Sequence, residues 1–152
     1  MKLPYYCRIL ETPILVTEEN GKIVHYVFDW KKGGLYVSDR FDNKPLGGIA
    51  GSEANLDELT KEEFQKQLSK AKNMFEINKR IPVFCIYNNK AIKVVNVEGA
   101  FNSLIPAFFV LNEATGNFER DGNYREAVYG EKGHVEFVNE DQFNAYVNSR
   151  IT

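Results

Sequence analysis

One well-capped amphipathic helix, placed between two blocks of strand-like sequence, limits what this chain can fold into. Thr60 is followed three residues later by Glu63, which is the spacing of a capping box. Apolar residues then recur along a single helical face, and these are Phe64, Leu68, Ala71 and Phe75. Because Pro82 ends the pattern, the sequence predicts a helix over about residues 60–78.

Turn signals divide the first forty residues into strands. Asn20-Gly21 separates two apolar runs at residues 14–17 and 22–28, and this dipeptide supplies the positive φ angles of a tight hairpin. A second turn at residues 31–34 leads into a third strand at 35–41. We expect the strand at residues 5–10, which precedes Pro13, to lie at a sheet edge, because proline lacks the N–H that a central strand uses.

A second block of strands follows the helix. Residues 83–87 and 91–97 flank an Asn88-Asn89 turn, and residues 107–111 and 118–120 form another hairpin. Residues 124–129 and 134–138 are interpreted as two further strands. Asn139 and Gln142 repeat the capping pattern and predict a short terminal helix over about residues 140–149.

The order sheet, helix, sheet, helix predicts the α+β class. We expect antiparallel β-hairpins that form a meander in a sheet, with one central helix and a short C-terminal helix packed against it. Both halves contain hairpins followed by a helix, but no residue-by-residue similarity between them indicates a duplication. We therefore expect residues 1–152 to form a single domain.

Composition excludes several classes of function. The net charge of −2 disfavours a protein that binds nucleic acid or an anionic membrane through bulk electrostatics. The longest apolar run, residues 104–111, is interrupted by Pro106 and is far shorter than the roughly 20 residues that span a bilayer. Because no secretion signal is legible at the N-terminus, we expect a cytoplasmic protein.

Charge is distributed unevenly along the chain. Residues 61–93 carry eight Lys or Arg against three acids, and residues 113–141 carry eight acids against three bases. Such segments can steer a charged partner, although solvated surface charge is the commoner explanation. Lys66 and Lys70 lie opposite the apolar stripe of the helix, but no aromatic residue accompanies them on which bases could stack. A nucleic-acid partner is therefore disfavoured.

The sequence carries no recognised catalytic or metal-binding motif. His25 and His134 are the two histidines, and neither has a histidine or cysteine near it in sequence to complete a metal site. His25 lies in an apolar strand, where a structural role is commoner than general-base catalysis. Asp39 and Asp42 beside Arg40 are ordinary loop residues that could act as acid and base only in a cleft. Neither a metal nor a cofactor is expected.

Cys7 and Cys85 are too few for a disulfide framework, and both lie in apolar strand-like runs. In that setting thiols usually behave as small core side chains. A regulatory or catalytic thiol is the less favoured interpretation.

A glycine-rich stretch at residues 44–52 has the outline of a phosphate loop. Gly51, however, lies nine residues before the Thr60 cap, so the glycines do not lead directly into the helix. Glu53, Asp57 and Glu58 also place negative charge in the interval, which would repel a phosphate. The stretch is better interpreted as a contact loop or gate.

The leading hypothesis is a non-enzymatic protein that binds a protein partner, as a small inhibitor, an immunity protein or an accessory factor does. Several tyrosines in strands or near turns are candidates for exposed contacts, although packing in the sheet is the better interpretation for any single one; they are Tyr5, Tyr6, Tyr36, Tyr124 and Tyr129. The alternative is a small-molecule or nucleotide-binding protein, or a small hydrolase, with its site beside residues 38–52. Taking both hypotheses together, the candidate contact residues are Ser38, Asp39, Arg40, Gly47, Gly48, Gly51, Lys66 and Lys70.

Overall fold

The computed structural model describes residues 2–41, 55–130 and 135–151. Of these residues 46% lie in strands, which form two antiparallel sheets of five strands each, and 31% lie in helices, of which three are α-helices and two are short 3-10 helices. This confirms the predicted α+β class. The contacts divide the chain into two compact units, unit 1 at residues 1–75 and unit 2 at residues 76–152. That the whole chain forms one domain stays a prediction.

The strands and helices have the following bounds. Unit 1 contains β1 (Tyr5–Ile9), β2 (Thr12–Glu19), β3 (Lys22–Asp29), β4 (Gly34–Ser38), β5 (Leu56–Leu59) and most of α1 (Lys61–Asn78). Unit 2 contains β6 (Val83–Tyr87), β7 (Lys90–Glu98), β8 (Leu104–Asn112), β9 (Asn117–Arg120), α2 (Arg125–Tyr129), β10 (Val135–Val138) and α3 (Glu140–Ile151).

The sheet of unit 1 is a four-stranded meander completed by a later strand. Its order is β4-β3-β2-β1-β5, and every neighbouring pair is antiparallel. The expectation that the first strand lies at an edge is wrong, because β5 pairs with β1 on its free side. Sequence reasoning missed β5, a strand of four residues that includes Asp57 and Glu58, since both acids disfavour a strand interpretation.

The sheet of unit 2 has the order β10-β6-β7-β8-β9. The predicted hairpins around Asn88-Asn89 and around residues 112–117 are confirmed. The strand expected at residues 124–129 is wrong, because Arg125–Tyr129 is the short helix α2. Its inner side chains, Val128 and Tyr129, are buried, and this one-turn apolar pattern looks like a short strand when it is read in sequence.

Both long helices begin as the capping pattern predicts. At α1 the N–H of Thr60 donates to Glu63 Oε1 at 2.9 Å, and the N–H of Glu63 donates to Thr60 Oγ1 at 3.1 Å. At α3 the same two bonds join Asn139 and Gln142, at 3.0 and 2.8 Å. These exchanges satisfy backbone donors that would otherwise lack an intrahelical partner.

The two units have the same topology, although their sequences show no residue-by-residue similarity. In each, four strands form a meander, a fifth strand returns to pair with the first, and a capped helix follows directly. Their registers also correspond: Cys7 pairs with Ile14 in unit 1, and Cys85 pairs with Ile92 in unit 2. All four of these side chains are fully buried. We therefore describe the units as two structural repeats.

The hairpin loops that end the third strand of each repeat are equivalent in detail. Asp29 Oδ1 accepts the N–H of Lys31, and Asn112 Oδ1 accepts the N–H of Ala114. Each loop then closes on a glycine with positive φ, Gly33 at 79° and Gly116 at 75°. The strand register and this loop together align position 30 of unit 1 with position 113 of unit 2.

Among the hairpins that the structure describes in both repeats, the one between the second and third strands differs in length. In unit 1 the two-residue turn Asn20-Gly21 joins Glu19 to Lys22, as predicted. In unit 2 the corresponding pair, Val97 and Ile105, encloses seven residues. The hairpin of unit 2 is therefore longer by five residues.

Candidate interaction surface

The longer hairpin of unit 2 ends in a hydrogen-bonded loop, which we call the β7–β8 tip (residues 98–104). The N–H of Gly99 donates to the carbonyl of Ser103 at 2.7 Å, and the N–H of Ser103 donates to the carbonyl of Ala100 at 3.1 Å. The hydroxyl of Ser103 donates to the same Ala100 carbonyl at 2.6 Å. A Cβ at Gly99 would lie 2.9 Å from Ile105 Cγ2, so this close approach favours glycine. The loop therefore has a defined conformation.

The tip holds Phe101 fully exposed to solvent. Its backbone is left-handed, with φ 57° and ψ 38°, and Asn102 also has a φ of 57°. A left-handed conformation costs a bulky L-residue about 1–2 kcal/mol, whereas Asn and Gly adopt it readily. Neither burial nor backbone preference explains a phenylalanine at this position. Leu104, two-thirds exposed, and Ile105 extend the apolar surface along β8.

Sequence reasoning missed this surface, although a signal for it is present. The stretch from Gly99 to Ser103 places glycine, asparagine and serine around one aromatic residue, which is a turn composition interrupted by a large apolar side chain.

Among the candidate contacts named from the sequence, those after β4 form a simple turn. Ser38 Oγ accepts the N–H of Arg40 at 3.2 Å, and the Arg40 guanidinium lies 4.9 Å from the centre of the Phe41 ring. Asp39 is exposed. Gly47, Gly48, Gly51 and Asp42 lie outside the described residues, so a ligand site beside residues 38–52 stays a prediction.

The basic candidates on α1 are only partly available to a partner. Lys70 Nζ lies 3.9 Å from Glu11 Oε1, so this lysine is engaged within unit 1. Lys66 is exposed. Around the same helix, Arg8 Nη1 donates to Gln67 Oε1 at 2.9 Å, and Gln67 Nε2 donates to the Glu11 carbonyl at 3.0 Å. These bonds anchor α1 to β1 and to the β1–β2 turn.

The tyrosines named as candidate contacts fall into different environments. Tyr36 on β4 is exposed, as expected, whereas Tyr5, Tyr6 and Tyr124 are half-buried. Tyr129 is buried, and its hydroxyl donates to Asn78 Oδ1 at 2.6 Å, so this candidate is not available for a surface contact. Its place on the inner side of α2 accounts for the difference.

His25 and both cysteines lie in the core. His25 is only 1% exposed, and its ring centre lies 5.3 Å from that of Phe41. Burial raises the pKa of the Cys7 and Cys85 thiols to about 12, with the Glu58 charge adding to the effect at Cys7. Both thiols are therefore protonated at neutral pH and behave as core side chains, as the sequence predicts. His134 lies outside the described residues.

Within the described ranges, no group of three His, Cys, Asp or Glu side chains has an arrangement that could hold a metal ion. Of the helices in the same ranges, none combines the length and apolar character needed to cross a lipid bilayer.

In comparisons with known proteins, no family model, curated protein or solved structure matches the chain.

Proposed function

We propose that this chain is a non-enzymatic binding protein that docks Phe101 into an apolar pocket of a protein partner. The observation that carries the proposal is the side chain itself, an exposed aromatic in a left-handed backbone conformation on a hydrogen-bonded loop. Backbone strain at an exposed residue is typical of functional sites. Exposed aromatic anchors on preorganised loops are also typical of binding hot spots.

A protein partner suits the tip better than a lipid surface or a nucleic acid. No Lys or Arg occurs in the sequence between positions 94 and 119, so the nearest basic residues along the chain are Lys93 and Arg120. Anionic lipid and nucleic acid are both recruited mainly through such residues. The acidic segment at residues 113–141 favours a partner that carries a basic surface.

The proposed location is the cytoplasm. Both cysteines of the chain are free thiols rather than a disulfide, as is usual in a reducing compartment.

A single substitution tests the proposal. Phe101→Asn removes the aromatic side chain and places at φ 57° a residue that tolerates this conformation, so the fold is retained or stabilised. Leu10→Asn is the matched control, because Leu10 is also an exposed apolar residue with positive φ, at 54°, and it belongs to unit 1. Each variant replaces an exposed apolar side chain with asparagine at a residue of positive φ.

The measurement is quantitative affinity capture from a lysate of the source cells, using the wild-type chain and both variants as bait. We expect one stoichiometric protein with the wild type and with Leu10→Asn, and its loss with Phe101→Asn. Capture of the same protein by Phe101→Asn at wild-type yield would contradict the proposed site. Equal loss with both variants would show that the tip has no specific role.

A further inference from the structure

Unit 2 contains an open groove of about 550 Å³ that is separate from the β7–β8 tip. It lies between the β6–β7 turn, the end of the β8–β9 hairpin and the last turn of α3. The side chains that define its polar character are Asn89, Lys90, Asn112, Glu113, Glu119 and Arg150. Tyr124 adds an aromatic surface, and its ring meets that of Tyr87 edge-on at 6.4 Å.

The first repeat carries a large aromatic side chain in the equivalent region. Trp30 occupies the position equivalent to Glu113, and its Nε1 donates to the hydroxyl of Thr12 at 3.0 Å. Thr12 is in turn equivalent to Lys90, because each begins the second strand of its repeat. The indole also packs edge-on against Phe28, with ring centres 4.7 Å apart. In unit 2 a glutamate replaces this indole, and the groove is open.

The groove side chains are held in place before any ligand binds. Asn112 Nδ2 donates to Glu119 Oε1 at 2.9 Å. Arg150 Nη2 donates to the Tyr146 hydroxyl at 2.7 Å, and that hydroxyl donates to the Asn89 carbonyl at 2.9 Å. Arg150 Nε also lies 3.7 Å from Glu113 Oε1. Such preorganisation lowers the entropy that binding must otherwise overcome.

The chemistry of the lining selects the class of ligand. Two bases, Lys90 and Arg150, face two acids, Glu113 and Glu119, so the lining has no net charge. Both carboxylates would repel a bound phosphate, and both basic side chains would repel a bound organic cation. A hydroxyl group both donates and accepts hydrogen bonds, so it can satisfy carboxylate, amide and guanidinium neighbours alike. We propose that this groove binds a short neutral carbohydrate, with hydroxyls on the polar side chains and one sugar face against Tyr124.

A peptide fits the groove less well. Peptide recognition uses either an open strand edge or apolar side-chain pockets. Three of the six polar lining residues lie in turns or at the end of α3, and the largest apolar member of the lining, Leu111, is buried, so the groove offers no open apolar pocket to a peptide side chain.

The test is a titration of the ¹⁵N-labelled full chain, followed by NMR, with maltotriose, cellotriose and chitotriose as carbohydrate probes. Inorganic phosphate and triglycine are the comparison probes. We expect saturable shifts of the Asn112 and Glu119 amide signals with at least one trisaccharide, with a Kd of about 1 mM or tighter. Saturable binding of phosphate or triglycine at these signals in place of the sugars would overturn the ligand class. Absence of any trisaccharide response up to roughly tenfold above that concentration would overturn the site.

Two variants that copy residues of the first repeat make the test specific. Lys90→Thr with Glu113→Trp installs the Thr12 and Trp30 pair of unit 1 and fills the groove. Asn112→Asp installs the residue found at position 29, which keeps the loop bond to Ala114 but replaces the amide donor to Glu119 with a second carboxylate. Each is expected to weaken trisaccharide binding by about tenfold or more. Wild-type affinity in both, with the remaining spectrum unchanged, would overturn the proposal.

Discussion

The rings of Tyr6 and Phe64 lie with their centres 5.1 Å apart at an interplanar angle of 46°. This contact joins β1 to the first turn of α1. In unit 2 the rings of the equivalent pair, Phe84 and Phe143, have their centres 5.0 Å apart at an interplanar angle of 45°. Each helix is thus seated on the first strand of its own repeat by the same ring contact. Aromatic pairs in this geometry add about 0.5–1.5 kcal/mol to the stabilisation from burial.

This contact predicts matched core mutants. Phe64→Ala and Phe143→Ala each remove a ring that is at most 4% exposed, so each is expected to lower the free energy of unfolding by about 3–5 kcal/mol. Guanidinium titration followed by circular dichroism measures the loss. Phe64→Leu and Phe143→Leu, which keep most of the buried volume, are the controls and should lose clearly less. A loss below about 1 kcal/mol in either alanine variant would contradict the proposed equivalence of the two rings.

The equivalent hairpin glycines predict unequal effects of the same substitution. Gly33 and Gly116 both have positive φ, which costs alanine about 1 kcal/mol or more. A Cβ at Gly33 would also lie 2.4 Å from Cδ1 of Phe75, whereas nothing lies within 4 Å of a Cβ at Gly116. Gly33→Ala should therefore be about 1–3 kcal/mol more destabilising than Gly116→Ala.

The same chemical denaturation measurement decides this comparison. Equal losses in the two variants would show that the Phe75 ring moves aside without cost. A larger loss in Gly116→Ala would contradict the packing described for both loops.

The two long helices and the hairpin turns around Asn20-Gly21, Asn88-Asn89 and residues 112–117 could be predicted from the sequence because their signals are local. Capping at Thr60 and the positive φ of Asn20 and Gly21 depend on a few neighbouring residues. The strand β5 could not be predicted, because its stability comes from pairing with β1, more than forty residues away in sequence.

The repeat was missed for a related reason. Equivalent positions lie 78 residues apart at Cys7 and Cys85, but 79 apart at Thr60 and Asn139, and 83 apart at Gly33 and Gly116. Insertions at the hairpins therefore interrupt any fixed spacing. The register of a sheet depends mainly on the alternation of buried apolar and exposed polar side chains, so two repeats can share a register with few identical residues. Phe101 was missed because exposure and backbone conformation are tertiary properties that turn composition alone does not report.

The helix caps predict a difference in pH dependence between the repeats. The backbone N–H and then the hydroxyl of Thr60 lower the pKa of the Glu63 carboxyl below its ordinary value of 4.5. A carboxyl with a lowered pKa in the folded state stabilises the fold above its unfolded pKa. This contribution is lost as the pH falls through the lowered folded value.

Glu63→Gln should therefore remove part of the acid sensitivity of stability, since Gln142 already occupies the equivalent cap position in unit 2 without a charge. Denaturation midpoints measured from pH 7 down to about pH 3 test this. Gln142→Glu is the reciprocal control and should gain acid sensitivity. An identical pH profile for Glu63→Gln and wild type would show that the cap is not coupled to protonation of Glu63.

The two buried thiols predict that each repeat can be followed separately as it opens. A rise of the pKa from 9.0 to about 12 lowers the thiolate fraction at pH 8 by about a thousandfold, and both sulfurs are also fully buried. Reaction with a thiol reagent should therefore require opening of the repeat that contains the cysteine. Cys85→Ala leaves Cys7 as the reporter of unit 1, and Cys7→Ala leaves Cys85 as the reporter of unit 2.

Labelling by Ellman's reagent at pH 8 should be slow for both variants in buffer and fast in unfolding concentrations of guanidinium. Rapid labelling of either thiol in buffer, at the rate of an unstructured peptide, would contradict its place in the core.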